Sequence, residues 1–93
     1  MKGFVRSKFV IIPENNIVPD ENLITPPPNQ FTHELTRSVS FYFTGPQQGR
    51  PPDGELTEGA RVVLLVYDGG SYCRVADEQG LYVAVEYDSL KKI

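Results

Sequence analysis

The hydrophobic and polar positions in the C-terminal half of the chain repeat every two residues, which predicts β-strands. Residues 60–68 (ARVVLLVYD) are dense in β-branched and aliphatic side chains, and residues 71–76 (SYCRVA) and 81–87 (LYVAVEY) alternate. The turn sequences DGGS at 68–71 and DEQG at 77–80 separate these runs. We therefore expect three strands in an antiparallel meander.

Alternation also assigns the side chains of the meander to two faces. In the middle strand, Cys73 and Val75 share one face, and Tyr72 and Arg74 share the other. In the last strand, one face is expected to carry Leu81, Val83, Val85 and Tyr87, and the opposite face Tyr82, Ala84 and Glu86.

Residues 56–90 place glycines, aromatic residues and aliphatic residues in a recognisable order. The positions are Leu56, Gly59, Val62, Gly69, Gly70, Tyr72, Val75, Gly80, Tyr82, Val83 and Leu90. This order is similar to that of bacterial SH3-like (SH3b) domains, in which a tryptophan often stands where this chain has Tyr72. The resemblance implies an all-β fold, a small SH3-like antiparallel barrel, with residues 39–44 as its first strand and residues 45–55 as its RT-type loop.

The chain length of 93 residues fits one domain, which we divide into an N-terminal arm with a Pro-rich connector (residues 1–38) and the barrel (residues 39–93). Residues 8–12 are expected to form a short strand that ends at Pro13. Residues 14–30 are expected to be a connector without a helix, in which Pro26-Pro27-Pro28 favours a polyproline II path. Residues 31–37 are expected to form one short turn.

Residues 60–68 are apolar on both faces, whereas a half-buried strand has one polar face. Either this strand bends so that both faces are covered, or another segment packs on its outside. The nearest apolar segment is residues 4–12, of the same chain or of a second copy. We predict that residues 4–12 pack on the barrel or extend its sheet, and a homodimer through this arm is one form of that prediction.

Charge and hydropathy narrow the class of partner. The formal net charge is −3, and residues 45–93 carry all of it, which argues against a nucleic-acid backbone as the main partner.

No apolar run approaches the roughly 20 residues of a membrane-spanning helix, and residues 1–12 lack the apolar core and cleavage site of a secretory signal. The single cysteine fits a reducing compartment. The default expectation is a cytoplasmic protein.

No residue pattern in the chain points to catalysis, a metal or a cofactor. His33-Glu34 lacks the second histidine of a zinc motif, since position 37 is Arg. Cys73 could act as a nucleophile with His33 as its base, but its mid-strand position favours core packing. The carboxylates Asp53, Glu55 and Glu58 do not have the spacing of a Ca²⁺ loop.

Three tyrosines are the candidate ligand-binding residues. Tyr42, Tyr72 and Tyr82 lie opposite the stronger apolar faces and are predicted to line a groove, such as SH3 domains use for polyproline II peptides. The alternative is that these tyrosines cover the barrel ends or contact the N-terminal arm. In a variant of both interpretations, Pro26-Pro27-Pro28 docks on them within the same chain.

Two functions follow as hypotheses. The first is a non-enzymatic interaction module that binds a peptide, a cell-envelope polymer or a protein partner through the tyrosine-bearing face. The second is a structural or accessory subunit that assembles through its apolar strand face and N-terminal arm. An enzyme that uses Cys73 and His33 is the least favoured alternative.

Overall fold

A computed structural model describes residues 9–13, 17–45 and 51–93, and these residues form an all-β structure of two antiparallel sheets, as predicted. The described residues contain no α-helix and two single turns of 3-10 helix, Asp20–Asn22 and Tyr87–Ser89. The strands are β1 (Val10–Ile11), β2 (His33–Leu35), β3 (Val39–Phe41), β4 (Gly54–Leu56), β5 (Arg61–Tyr67), β6 (Tyr72–Asp77), β7 (Tyr82–Glu86) and β8 (Leu90–Lys92). No helix in this part of the chain is long and apolar enough to cross a membrane.

The predicted meander is confirmed as β5, β6 and β7. These strands pair in sequence order, and β2 and β8 follow beside β5 to give the order β7-β6-β5-β2-β8. Gly69 and Gly80, in the two turns of the meander, have φ angles of 94° and 86°, which glycine adopts without steric cost. The turn sequences therefore end each strand where the alternation predicts.

The strand β2 corrects the prediction of a short turn at residues 31–37. His33–Leu35 lies between β5 and the last strand, with His33 opposite both Val62 and Lys92. The predicted first strand, at residues 39–44, forms β3 (Val39–Phe41) and pairs with β4, which corrects the prediction that Gly54 and Glu55 belong to a loop. Both β2 and β4 have three residues, too few to show an alternation in the sequence.

The segment before Pro13 extends the smaller sheet, whose order is β1-β4-β3. Val10 lies opposite Leu56, and the side chains of Val10 and Ile12 are buried. Residues 9–12 thus extend a sheet through β4 and do not pair with the apolar strand β5. The rest of the segment, residues 4–8, lies outside the described residues.

The long strand β5 contains a bulge, and its two halves have different surroundings. Its pairing with β2 ends at Val62, and its register with β6 shifts between Leu64 and Val66 because one extra residue bulges out. The side chains of Leu65, Val66 and Tyr67 are 47%, 51% and 41% exposed. The first half of β5 is therefore covered, while the second half keeps exposed apolar side chains.

The connector between β1 and β2 pairs with the end of the meander at Leu23. After the 3-10 turn Asp20–Asn22, Leu23 forms an isolated β-bridge with Leu81, and the Ile24 amide donates to the Gly80 carbonyl over 2.8 Å. The absence of a side chain at Gly80 lets the backbone of Ile24 approach this closely. Residues 14–16 of the predicted connector lie outside the described residues.

One hydrophobic core joins the inner faces of both sheets. Its buried members are Val10, Ile12, Leu35, Val39, Phe41, Phe43, Leu56, Ala60, Val62, Cys73, Val75, Leu81, Val83 and Val85. The predicted inner positions of β6 and β7 are thus confirmed. Two positions differ: Ala84, predicted on the outer face, is buried beside Tyr42, and Tyr87 leaves the strand to enter the second 3-10 turn.

Candidate functional site

Two of the three predicted tyrosines, Tyr72 and Tyr82, lie on the outer face of β6 and β7, and the third, Tyr42, directly follows β3. Tyr42 exchanges two backbone hydrogen bonds with Ala84, of 2.9 and 3.0 Å, and this bridge connects the two sheets. Because Ala84 lies opposite Arg74 on β6, the side chains of Tyr42, Ala84 and Arg74 form one row across the face. We call Tyr42, Tyr72, Arg74, Tyr82 and Ala84 the tyrosine face.

Two of the tyrosines contact each other, and the third contacts an arginine. The rings of Tyr42 and Tyr72 meet edge to face, with centroids 6.2 Å apart. The Arg74 guanidinium lies 5.4 Å from the centroid of the Tyr82 ring. The structure therefore places all three predicted residues on one face, with Arg74 between Tyr72 and Tyr82.

Tyr72 sits in surroundings that favour its neutral phenol. Partial burial, and then the negative charge of Glu86 directly across the sheet, raise the pKa of the Tyr72 hydroxyl above its usual value. Tyr72 therefore keeps its hydroxyl proton at physiological pH and can donate it to an acceptor on a ligand.

Arg74 is the central cation of the tyrosine face. Its Nη1 donates to the Phe43 carbonyl over 3.1 Å, while its guanidinium plane is held near Tyr82. Among the described residues, ion pairs join only Arg37 to Glu86 and Asp88, so no described carboxylate pairs with Arg74. The alternation of β6 placed Arg74 beside Tyr72, but the sequence analysis assigned it no role.

Asn22 is a buried polar residue that sequence reasoning missed. Its Nδ2 donates to the carbonyls of Phe43, over 2.8 Å, and of Tyr82, over 2.6 Å. Asn22 and Arg74 thus converge on the same Phe43 carbonyl and connect the connector, β6 and β7 to the end of β3. An asparagine in an Asn- and Pro-rich stretch indicates a loop, and nothing local distinguishes a buried one.

A recess of about 180 Å³ opens at the edge of the tyrosine face, between the Gly45 turn and the hairpin that connects β5 to β6. It is lined by Gly45, Val66, Asp68, Tyr72, Cys73, Arg74 and Ala84. Gly45 has a φ angle of 104°, and a Cβ placed on it would lie 3.7 Å from Nη2 of Arg74. Nη2 of Arg74 therefore lies beside the Gly45 turn, at one wall of the recess.

The structure shows a contact between the connector and the tyrosine face, but Pro26-Pro27-Pro28 does not make it. Pro26 and Pro27 are exposed, and the contact comes from Asn22, through the backbone of Tyr82. Docking of the prolines on the tyrosine rings stays a prediction.

Two other tyrosines stack on the far side of the sheet. The rings of Tyr67 and Tyr87 are nearly parallel, with centroids 3.8 Å apart and an interplanar angle of 7°. Tyr67 lies opposite Cys73, so it belongs to the face that carries the core residues of β6. This pair forms a separate surface, which makes Tyr67 a suitable comparison for Tyr72.

The residues weighed for catalysis and metal binding have structural surroundings. The Cys73 side chain is buried with its Sγ 3.7 Å from the Val85 carbonyl, and burial raises the pKa of its thiol to about 11. A nucleophilic cysteine needs the opposite shift. His33 contacts the Thr32 hydroxyl through Nδ1 over 2.8 Å. Within the described ranges, no three His, Cys, Asp or Glu side chains cluster as metal ligands.

The tyrosine face therefore offers three aromatic rings, one fixed cation and a shallow recess, which together suit non-covalent binding of an extended ligand. Comparison of this chain with protein-family models, with curated proteins and with solved structures found no match.

Proposed function

We propose that this chain is a non-enzymatic binding module of SH3-like architecture, which holds an extended, proline-containing peptide on the tyrosine face. Within this proposal, the residues that contact the peptide are Tyr42, Tyr72 and Tyr82. The partner is a peptide segment of another protein, and a cell-envelope polymer is the other ligand class that the sequence resemblance suggested.

The order of the elements supports the SH3-like part of the proposal. A short strand, β2, is followed by the β3–β4 hairpin, the β5–β7 meander, a single 3-10 turn and a last strand, β8, that returns to pair with β2. An SH3-like domain combines a hairpin-bearing RT loop, a meander and a closing strand in this order. The bridge between Tyr42 and Ala84, which connects the two sheets, is the contact that such a barrel needs.

The observation that carries the binding proposal is the recess beside Tyr72. Tyr72 and Val66 provide apolar walls, Arg74 provides a donor, and the recess is open to solvent along the sheet. A polyproline II peptide has no internal backbone hydrogen bonds and presents flat apolar rings, so aromatic side chains and single donors are the groups that bind it. The edge-to-face contact with Tyr42 holds the Tyr72 ring in place for such packing.

Titration of the ¹⁵N-labelled chain with an oligoproline peptide tests this proposal. We expect amide shifts at Gly45, Tyr72, Arg74 and Ala84, which surround the recess. Replacing the ring by Tyr72→Ala should weaken the binding about tenfold or more, as removal of a central aromatic side chain does at other interfaces.

The variant Tyr67→Ala is the matched control, because it removes an exposed tyrosine of the neighbouring strand that does not line the recess. We expect this variant to bind oligoproline as the wild type does. Shifts centred on Tyr67 and Tyr87, or no shifts with the wild type, would show that the tyrosine face is not a polyproline site.

A second function has an observation of its own. Leu65 and Val66, at the bulge opposite Arg74, are about half exposed and form an apolar patch on β5. Exposed apolar patches of this kind mark surfaces that assemble with another protein. This patch favours the alternative proposal, a structural or accessory subunit, and the oligomeric state discriminates between the two functions.

A further inference from the structure

We propose that Arg74 selects peptides that carry a carboxylate, so that the tyrosine face recognises a proline-containing segment with an acidic side chain in it. This inference rests on the proposed function, because it names the chemistry of the ligand that the same face would hold.

The guanidinium of Arg74 is fixed before any ligand arrives. Its Nη1 is bound to the Phe43 carbonyl, and its plane is held near the Tyr82 ring. The Phe43 carbonyl is itself held by Asn22, and the Phe43 amide is held by Asp53 over 2.8 Å. A fixed guanidinium loses little conformational entropy on binding, and this makes it an effective carboxylate receptor.

Donors of Arg74 point to the place where a ligand would lie. The bond to Phe43 uses one of the five N–H groups of the guanidinium. Nη2 lies beside the Gly45 turn, and Gly45 and Arg74 both line the recess. A carboxylate that enters between the Gly45 turn and Tyr72 therefore meets a half-buried, charged donor, and hydrogen bonds between charged groups are the strong ones.

The neighbouring charges leave Arg74 as the cation of this face. Glu86, which lies across from Tyr72, is engaged by Arg37 at 2.7 Å. Asp68 lines the same recess, and its Oδ1 accepts from the Gly70 amide over 3.0 Å. Asp68 is an exposed carboxylate at the rim, so it opposes an incoming carboxylate without neutralising Arg74.

A single arginine beside two carboxylates favours a peptide over a phosphate backbone. Binding to a nucleic acid requires several clustered cations, and among the described residues the tyrosine face offers one, in a half of the chain with a net charge of −3. A side-chain carboxylate on an otherwise apolar, proline-containing peptide matches one fixed donor group and three aromatic rings.

Two oligoproline peptides test the inference; they are identical except that one central residue is Glu in the first and Gln in the second. Their proline flanks let the peptide slide until the central residue reaches Arg74. We expect the Glu peptide to bind the wild type about tenfold more tightly, the change that one hydrogen bond to a charged group supplies. The preference should fall as salt is added.

Three variants separate the contribution of Arg74 from that of the rest of the face. Arg74→Gln should abolish the preference for Glu, and Arg74→Lys should keep part of it, because lysine retains the charge without the planar fork. Asp68→Asn should increase the preference, because it removes the opposing carboxylate at the rim. If Arg74→Gln does not fold, the Arg74→Lys and Asp68→Asn variants still decide the question.

The outcomes for this inference and for the proposed function differ. If both peptides bind equally and shift the Tyr72 amide, the peptide module stands and the carboxylate inference is wrong. If neither peptide shifts any amide of the tyrosine face, the proposed function is wrong, and the inference is wrong with it. A preference for Glu that survives in Arg74→Gln assigns the carboxylate to another residue and overturns the inference.

Discussion

Cys73 shows how burial determines the chemistry of a single residue. The thiol is enclosed by the core, and its pKa is raised from an ordinary 9.0 to about 11 because burial disfavours the charged thiolate. The same residue on an exposed loop beside a cation would be a nucleophile. At this position it packs as a small apolar side chain, which the alternation of β6 predicted.

The raised pKa of Cys73 predicts a loss of stability in alkali. The folded chain holds the thiol proton more tightly than the unfolded chain, so the protonated thiol contributes to the free energy of unfolding. This contribution is complete below a pH of about 9 and is lost as the pH rises through about 11. By a pH of about 10.5, the loss for this one group is about 2 kcal/mol. Urea unfolding of the wild type and of Cys73→Ala at several pH values measures this loss as the change in the difference between their free energies of unfolding.

Subtraction of the Cys73→Ala curve removes the titration of the lysines and tyrosines, which both proteins share. We expect the free energies of unfolding of the two proteins to converge as the pH rises from about 8.5 to about 10.5. Parallel pH curves for the two proteins would mean that Cys73 titrates near its ordinary pKa and is not enclosed by the core.

Asn22 is the residue that sequence reasoning could not have assigned. It is buried because Phe43 and Tyr82, distant in the sequence, present their carbonyls at the place where the connector passes. Conversely, the inner positions Cys73, Val75 and Val83 were predicted correctly, because a strand alternates its side chains whatever its partners are. Alternation predicts which face of a strand a side chain occupies. It gives no information on whether a polar residue of a loop is buried or exposed.

At the scale of elements, β1 shows how two residues of strand add to the fold. Val10–Ile11 pairs with β4, and the neighbouring Ile12 is 4% exposed. Ile17, a few residues later in the same connector, is 80% exposed. The two isoleucines have identical chemistry and opposite surroundings, so they form a matched pair for measuring what the arm contributes.

We expect Ile12→Ala to lower the free energy of unfolding by about 2 to 4 kcal/mol, because it removes buried methyl groups and leaves a cavity. Ile17→Ala should change it by less than about 0.5 kcal/mol, as surface substitutions do. Urea unfolding of the two variants gives both numbers. An equal effect of the two substitutions would place residues 9–12 outside the core of the protein in solution.

The strand β5 has one feature that the sequence predicted, the strand itself, and one that it did not predict, the bulge. Its apolar composition predicted a strand and raised the question of what covers each face. The structure answers that question differently for the two halves, because β2 pairs with the first half only and the bulge after Leu64 interrupts the register with β6. A bulge depends on how the two partner strands are registered, and the sequence of β5 alone carries no signal of that register.

At the scale of the whole molecule, the exposed patch on β5 and the tyrosine face lie on neighbouring parts of one surface, since Val66 belongs to the patch and also lines the recess. A second copy seated on the patch would therefore compete with a peptide in the recess. The oligomeric state of the chain consequently bears on both functions.

Under the binding-module proposal, we expect light scattering to give the mass of a single chain at all concentrations, and Val66→Asp to leave that mass unchanged. A dimer that Val66→Asp converts to a monomer would move the accessory-subunit function ahead of the peptide module. A dimer that resists Val66→Asp and is lost in Ile12→Ala would point instead to the N-terminal arm, as the sequence analysis allowed.

The sequence by itself determined the strands β5, β6 and β7, the turns between them and the inner faces of β6 and β7. Those features depend on alternation over five or more residues and on glycines in tight turns, which are local properties of the chain. Only the tertiary structure decided that β2 lies between β5 and β8, that β4 is a strand and that Asn22 is buried. The contacts of the Arg74 guanidinium with the Phe43 carbonyl and with the Tyr82 ring were likewise decided by pairing between distant strands. Such pairing depends on the summed energy of contacts across the whole molecule, and a strand of three residues leaves no periodic trace of it in the sequence.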